Sequence, residues 1–599
     1  MHGQTVATAE NAQSSVRASA ARLGPYLAFV VIAAFLGAFL VWPIVHTLSV
    51  GFGLPGSGAK LQVTLTYLVG VFRSHELRAS LLNSIAIAVL VTLLAAAISI
   101  PLALISRNCD FRGKTLTTAM LLVPLVLPPF VGAIGLRQIF GASGALTALT
   151  WSLGLVARGT PVSWLSEHRF LAVVIVEAFS LYPILFLNVV TALSNLDPAL
   201  EQAATNLGAG AWRTFRSITL PLLRPGLFAG GAIVFIWSFG ELGTPLIFDL
   251  YDVAPVQIFL HITETKDNPI PYAVVIIMLL ISAAVYVAGR LAIGQTTTVD
   301  STKASFTSTV TVLTGVRAVG VALLFWGVIA VALLPHVAVV LTSLSKTGEW
   351  YRSILPRVFT LQQYAHALSH EMVLPAVRNS LLFSVLSVVL CITVGTAIAF
   401  LVMRPKLPRV LLTLLDTVSV LPLAVPGLVL AFGYYAISLQ LKVWFASQPR
   451  LLSYVDVQSN PTLLLVLAYT VRRLPYVVRG VVAGLQQAPL ELELAARNIG
   501  ASTATTVRRI TLPQIGPNLI AAALLVFAFT MLEVSDSLIL AQKQSYWPVT
   551  RAIFELYQGL GDGPYIASAL GAWAMLLLVL VIVFVNSLLG KRLGALFRV

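Results

Sequence analysis

Apolar residues run through this chain in blocks of about twenty, the length that crosses a hydrocarbon layer about 30 Å thick at about 1.5 Å per residue. In the first half the blocks lie near 26–50, 80–106, 115–142, 169–194, 222–247 and 272–294. In the second they lie near 315–343, 379–403, 409–438, 461–486, 515–540 and 565–590. The pattern predicts an all-α polytopic membrane protein with about 12 transmembrane helices. Prolines interrupt the third block of each set: Pro124, Pro128 and Pro129 in one, Pro422 and Pro426 in the other. A proline removes a backbone donor, and in a bilayer the freed groups must be satisfied by protein or water. These positions are candidate pore-lining bends.

The two sets repeat each other. "LLNSIAIAVL" at 81–90 matches "VRNSLLFSVL" at 377–386, and "VPLVLPPFVGAIG" at 123–135 matches "LPLAVPGLVLAFG" at 421–433. Six spans is an even number, so the two copies share one orientation. Parallel repeats place a pseudo-two-fold axis along the membrane normal, with a pathway expected between the halves. The reading divides the chain into a tail (1–25), a first six-span half (26–294), a linker (295–314) and a second six-span half (315–599). The polar stretch "GQTTTVDSTKASFTST" marks the junction.

Composition agrees with the pattern: 58% of residues are hydrophobic, only 10% are charged, and the mean hydropathy is +0.91. The net charge of +15 does not point to nucleic acid, because the Lys and Arg lie in short loops between apolar blocks. Arg107, Arg112 and Lys114 follow the second span, Arg404, Lys406 and Arg409 the eighth, and Lys591, Arg592 and Arg598 close the chain. All fall on one side together with the N-terminal tail, so the positive-inside tendency puts that side, and both termini, in the cytoplasm. A multi-pass membrane protein in contact with lipid is the expectation. Cys109 and Cys391 sit in different settings and suggest neither a disulfide framework nor a metal site.

Two polar islands interrupt this apolar background. "LEQAATNLGAGAWRTFRSITLPLLRPG" (200–226) recurs as "LELAARNIGASTATTVRRITLPQIGPN" (492–518), with Ala203, Ala204, Asn206, Gly208, Arg216 and the Ile-Thr-Leu-Pro at 218–221 reappearing without a gap. Each reads as two short helices around a glycine. Pro198 or Pro489 suits the start, Glu201 or Glu493 the first turn, and Gly208 or Gly500 a left-handed cap. Ser502 or Thr503 can cap the following helix, whereas Gly210 and Ala211 make the first copy weaker. Leu-Pro is expected to stop that helix and start the next span. A single loop of this kind is commonly a solvated connector; two matched copies suggest two equivalent partners beneath the membrane.

The "AA…G" pattern followed ten residues later by "I-x-L-P" resembles the coupling loop of binding-protein-dependent type I ABC importer permeases, and the span count and fused duplication match that family over nearly the whole chain. The long fused form with "RRLPYVVRG" at 472–480 is similar in particular to ferric-iron importer permeases; related fused permeases handle 2-aminoethylphosphonate or thiamine. The resemblance implies docking of two cytoplasmic ABC ATPase subunits at Glu201, Ala203, Ala204, Gly208, Glu493, Ala495, Ala496 and Gly500. It also implies an extracytoplasmic binding protein that delivers the substrate. One departure stands out: the family's Glu directly before Ala-Ala is Gln202 and Leu494 here, with a Glu one residue earlier. ATP and Mg would belong to the partner, and this chain would bind no cofactor. "GLPGSGAK" at 53–60 lacks the Gly-Lys-Ser/Thr ending of a phosphate loop, so the chain is read as a conduit rather than an enzyme.

Charges within the spans are the candidate pathway or gate. Arg472, Arg473 and Arg479 lie along the tenth span, where a charge costs about 3 kcal/mol at the bilayer centre on insertion scales and so faces protein or water. Glu177 aligns with Tyr469, within a turn of Arg473, which suggests an ion pair across the halves, a water-filled pathway, or both. Glu241 and Glu533 are an aligned pair, each twenty residues beyond its Leu-Pro. Counting rise per residue places them near the outer mouth as a gate or latch. His366 and His370 in "YAHALSHE" are one helical turn apart, but the partly repeated "YLVGVFRSHE" favours an amphipathic outer helix over a metal site. A secondary transporter with parallel repeats is the rival reading; it would usually carry coupling carboxylates near the midplane and need no cytoplasmic knobs.

Overall fold

The computed structural model describes residues 24–53, 64–165, 167–264, 268–293, 311–404 and 407–589. Most of the predicted tail, most of the linker, Lys406, Lys591, Arg592, Arg598 and most of "GLPGSGAK" lie outside these residues, while Gly24 and Pro25 of the tail begin the first helix. Ten recurring helices build each half, and are numbered so that αn and αn+10 correspond. The first half contains α1 (Gly24–Gly51), α2 (His75–Asn108), α3 (Lys114–Leu121), α4 (Pro129–Phe140) and α5 (Arg169–Ser194). It continues with α6 (Pro198–Asn206), α7 (Ala211–Phe239), α8 (Gly243–Ile247), α9 (Ala254–Leu260) and α10 (Ile270–Ile293). The second contains α11 (Gly315–Ser343), α12 (Val373–Met403), α13 (Arg409–Val420), α14 (Gly427–Trp444) and α15 (Thr462–Gln487). After these come α16 (Leu490–Asn498), α17 (Thr503–Met531), α18 (Ser535–Leu540), α19 (Val549–Gln558) and α20 (Gly563–Leu589).

Ten helices among the described residues are long and apolar enough to cross a membrane, and one proline-broken pair, 114–126 with 129–152, is bent by 95°. The 26-residue α15 completes the set; its three arginines lower its hydropathy, yet it packs along α12 and α17. In each half the second, fourth and fifth spans form a tight triad, α2, α5 and α7 or α12, α15 and α17. Buried Ser99 donates to the Tyr182 carbonyl in the first triad, and Ser387 to the Val466 carbonyl in the second.

The first spans are exchanged between halves. α1 packs against α14, where Tyr434 donates to the Phe39 carbonyl at 2.5 Å and Trp42 stacks on Trp444. α11 packs against α4 in the same way. The contact works because a glycine meets a proline: a Cβ added at Gly135 would lie 2.3 Å from the Pro335 carbonyl oxygen, and one at Gly433 would lie 3.1 Å from Pro43. Ile32 and Leu36 of α1 accordingly share a core with Cys391, Leu474 and Val477 of the second half. The interlocking makes one body of the two repeats.

Candidate functional site

Both islands fold as two helical segments about a left-handed glycine, Gly208 at φ +83° and Gly500 at φ +90°. Asp197 accepts from the Ala199 amide to cap α6, and Ser502 accepts from the Thr505 amide to cap α17, while Gly210 supplies no side-chain cap. The predicted stop at Leu-Pro does not occur. α7 and α17 run on into the spans through π-helical turns, Phe215–Thr219 and Val507–Thr511. The Leu220 and Leu512 amides reach back five residues, to the Phe215 and Val507 carbonyls, and this register shift absorbs the amide missing at Pro221 and Pro513.

The islands present an apolar, basic face to the solvent. Leu207 and Ile499, beside the glycines, are 89% and 88% exposed, and Trp212 is 71% exposed. Ala203, Ala495, Gly208 and Gly500 are exposed, Ala204 is half-buried and Ala496 is buried. Glu201 and Glu493 turn the other way, into the protein: Glu201 meets Arg107 at 3.1 Å and Glu493 meets Arg404 at 2.9 Å. The Arg404 guanidinium, donating to the Glu493 carboxylate, holds that carboxyl below its usual range.

Deeper in the molecule, a cavity of about 120 Å³ lies between the halves. Its lining includes Pro124, Pro128, Glu177, Glu241, Arg472, Arg473 and Glu533, so the first half's predicted bend and most of the predicted charges converge, while Pro422 and Pro426 of the second half do not line it. The expected Glu177–Arg473 pair does not form. Glu533 takes both arginines instead, one oxygen 2.6 Å from Arg472 and the other bound to Arg473, and Arg472 also approaches Asp536 at 3.4 Å. Ser238 donates to one Glu177 oxygen; the other has no partner. Glu241 accepts from the Gly243 and Thr244 amides at the start of α8. Arg479 does not join the cluster but pairs with Asp416 at 3.2 Å on a half-exposed surface.

Glu241 and Glu533 therefore lie beside the middle of α15 rather than above it at the outer mouth. The rise count took each Leu-Pro as the inner edge of its span, but α7 and α17 begin inside the islands and end at Phe239 and Met531, two residues before the acids, with α8, α9, α18 and α19 still to follow. Asp536 was missed; its signal was a second acid three residues after Glu533, in a stretch without other charges. Arg472 lies over Gly427, where an added Cβ would fall 1.9 Å from its Cζ. His366 and His370 do not converge either: His366 faces Gln362 and Asp562, while His370 accepts from the Met372 amide.

Two aromatic pairs mark the axis. Trp237 and Phe529 occupy equivalent positions, 292 residues apart like Ala203 and Ala495, and their rings meet edge to face at 5.8 Å beside the cavity. Phe259 and Phe554, in α9 and α19, are also equivalent, 295 residues apart like Ala254 and Val549, whose amides donate to Ser84 and Ser380, and they meet at 6.3 Å toward the end of the molecule away from the islands. A residue that touches its own symmetry mate must sit on the two-fold axis. Arg551 lies over Phe259, Phe554 and Trp547 and pairs with Glu555, so a guanidinium braces the outer pair. Charged cavity and aromatic constrictions are thus stacked along the interface of the halves.

The model of the family described as binding-protein-dependent transport system inner membrane component matches residues 97–299 and again 372–595. The chain belongs to this family. It is a multi-pass permease with the type I ABC importer fold, duplicated within one polypeptide. The ferric transport system permease protein FbpB of Actinobacillus pleuropneumoniae is 26% identical to this permease over 81% of the chain and 67% of its own length. A Haemophilus influenzae protein named as a ferric transport permease is 27% identical over 79% of this chain and 70% of its own. The molybdenum transport system permease protein ModB of Haemophilus influenzae is 37% identical over a shorter stretch, 25% of this chain and 64% of that protein.

Proposed function

We propose that this permease imports ferric iron, received from an extracytoplasmic binding protein and moved at the expense of ATP hydrolysed by two separate ATPase subunits that grip the islands at Gly208 and Gly500. Mg and ATP belong to those subunits. Their closure rotates the halves (26–294 and 315–599), opening the Phe259–Phe554 and Trp237–Phe529 pairs in turn, with both termini in the cytoplasm of a bacterium.

The observation that carries the choice of a cation is the state of the two cavity arginines. Arg472 and Arg473 are already bound by Glu533, with Asp536 near Arg472, so an entering anion must displace a carboxylate. Among the described lining residues the unpartnered polar atoms are one carboxylate oxygen of Glu177 and the Nε of Arg473, and in this cluster four acids face two guanidiniums, so negative groups are in excess. The ferric relatives, matched over about four-fifths of the chain, support the same reading. The molybdenum relatives favour an oxyanion as a second reading, over a quarter of the chain.

Uptake of labelled ferric iron, molybdate, 2-aminoethylphosphonate and thiamine in cells with and without the chain decides between them. Iron uptake lost with the chain supports the proposal. Loss of molybdate or phosphonate uptake instead overturns it and makes displacement of Glu533 the recognition step.

A further inference from the structure

Each polar island is tied to the body of the permease by the same three side chains. In the first half Glu201 of α6 meets Arg107, in the last turn of α2, at 3.1 Å, and accepts from Thr219 at 2.7 Å. In the second, Glu493 of α16 meets Arg404, which ends α12, at 2.9 Å and 3.3 Å, and accepts from Thr511 at 3.2 Å. Thr219 and Thr511 are buried and close the π-helical turns. The arrangement recurs although the two islands differ at 13 of their 27 aligned positions.

Beyond these contacts and its two chain ends, α6 packs against the start of α7, as α16 packs against the start of α17. Through the side-chain contacts, one carboxylate joins the island helix to the second span and to the root of the fifth. The second, fourth and fifth spans pack as a triad, so a displacement of α6 reaches all three together. We propose that Glu201–Arg107–Thr219 and Glu493–Arg404–Thr511 are paired braces: positioning residues that convert movement of the island helices into movement of the span triads. They do not themselves hold the ATPase. This rests on the reading that ATPase subunits grip the islands, and it assigns the acids an inward role that the exposed Leu207, Ile499, Ala203 and Ala495 do not share.

The test uses the whole permease with its ATPase and binding protein in proteoliposomes. It compares the native protein with Glu201→Gln/Glu493→Gln, Arg107→Glu/Arg404→Glu, and the fourfold exchange that adds Glu201→Arg and Glu493→Arg. Three quantities are read: ATPase co-purification, ATP hydrolysis, and substrate moved per ATP. The braces predict retained co-purification with transport per ATP falling at least about fivefold in both double variants, the low end of usual coupling strengths, and recovery in the charge exchange. An unchanged ratio in well-folded double variants, or loss of co-purification alone, overturns the braces. Failure of the native permease to retain an ATPase would instead overturn the reading on which they rest.

Discussion

The two halves share a frame and differ in what they place inside it. At equivalent positions 292 residues apart, Glu177, Ser180, Leu181 and Thr244 of the first half become Tyr469, Arg472, Arg473 and Asp536 of the second, while Glu241 and Glu533 stay acidic. The backbone geometry survives these changes: both islands keep their glycine, their π-turn and their brace. The cavity is different, because one Glu caps a short helix with backbone amides while its mate neutralises two guanidiniums. The two copies thus keep one island architecture while the cavity groups have diverged, which fits the proposed function, since a single small substrate does not require symmetric groups.

The sharpest test of this contrast sets Glu533→Gln against Glu241→Gln. Removing one partner of a buried ion pair costs about 3–5 kcal/mol, whereas weakening amide contacts costs about 1 kcal/mol. Thermal unfolding of the detergent-purified permease should fall far more for the first, with uptake lost; equal effects would show that the two acids are not differently employed.

The exchanged first spans come next. Gly135→Ala drives a Cβ to within 2.3 Å of a carbonyl oxygen, while Gly433→Ala reaches only 3.1 Å from Pro43. Overpacking costs about 1–3 kcal/mol, and the first variant is expected at the upper end and the second at or below the lower. Unfolding midpoints of the two variants check the order.

A smaller effect is expected from pH at the second island. The native Glu493 carboxyl is held low by Arg404, so its stabilisation is complete above the ordinary carboxylate value, about 4.3, and fades as pH falls through the lower native value. A nitroxide at Ile499→Cys should gain mobility as acid is added below that point, and the change should vanish in Glu493→Gln. The smallest effect concerns caps. Ser502→Ala should loosen the second island by about 1 kcal/mol, and Gly210→Ser should tighten the first by a few tenths, read as amide exchange at 503–506 and 211–214.

Much of the architecture was legible along the chain. Hydropathy repeats at the scale of a bilayer, and a duplicated polar motif stands out against an apolar background, so the spans, the two parallel halves and the islands with Gly208 and Gly500 follow from local pattern. That Glu177, Arg472 and Arg473 are membrane charges at nearly one depth was legible too, whereas Glu241 and Glu533 were expected at the outer mouth. The pairing of these charges was not legible: Glu533 meets two arginines some sixty residues away, and alignment of Glu177 with Tyr469 fixes its depth but not which face it turns to a neighbour. The inward turn of Glu201 and Glu493, the aromatic mates on the axis and the exchange of first spans share that origin. Local sequence determines which segments enter the membrane, because hydrophobic burial is additive and periodic. Which side chains then meet depends on helix rotation and on close contacts such as Gly135 on Pro335, and only the packed tertiary structure decides these.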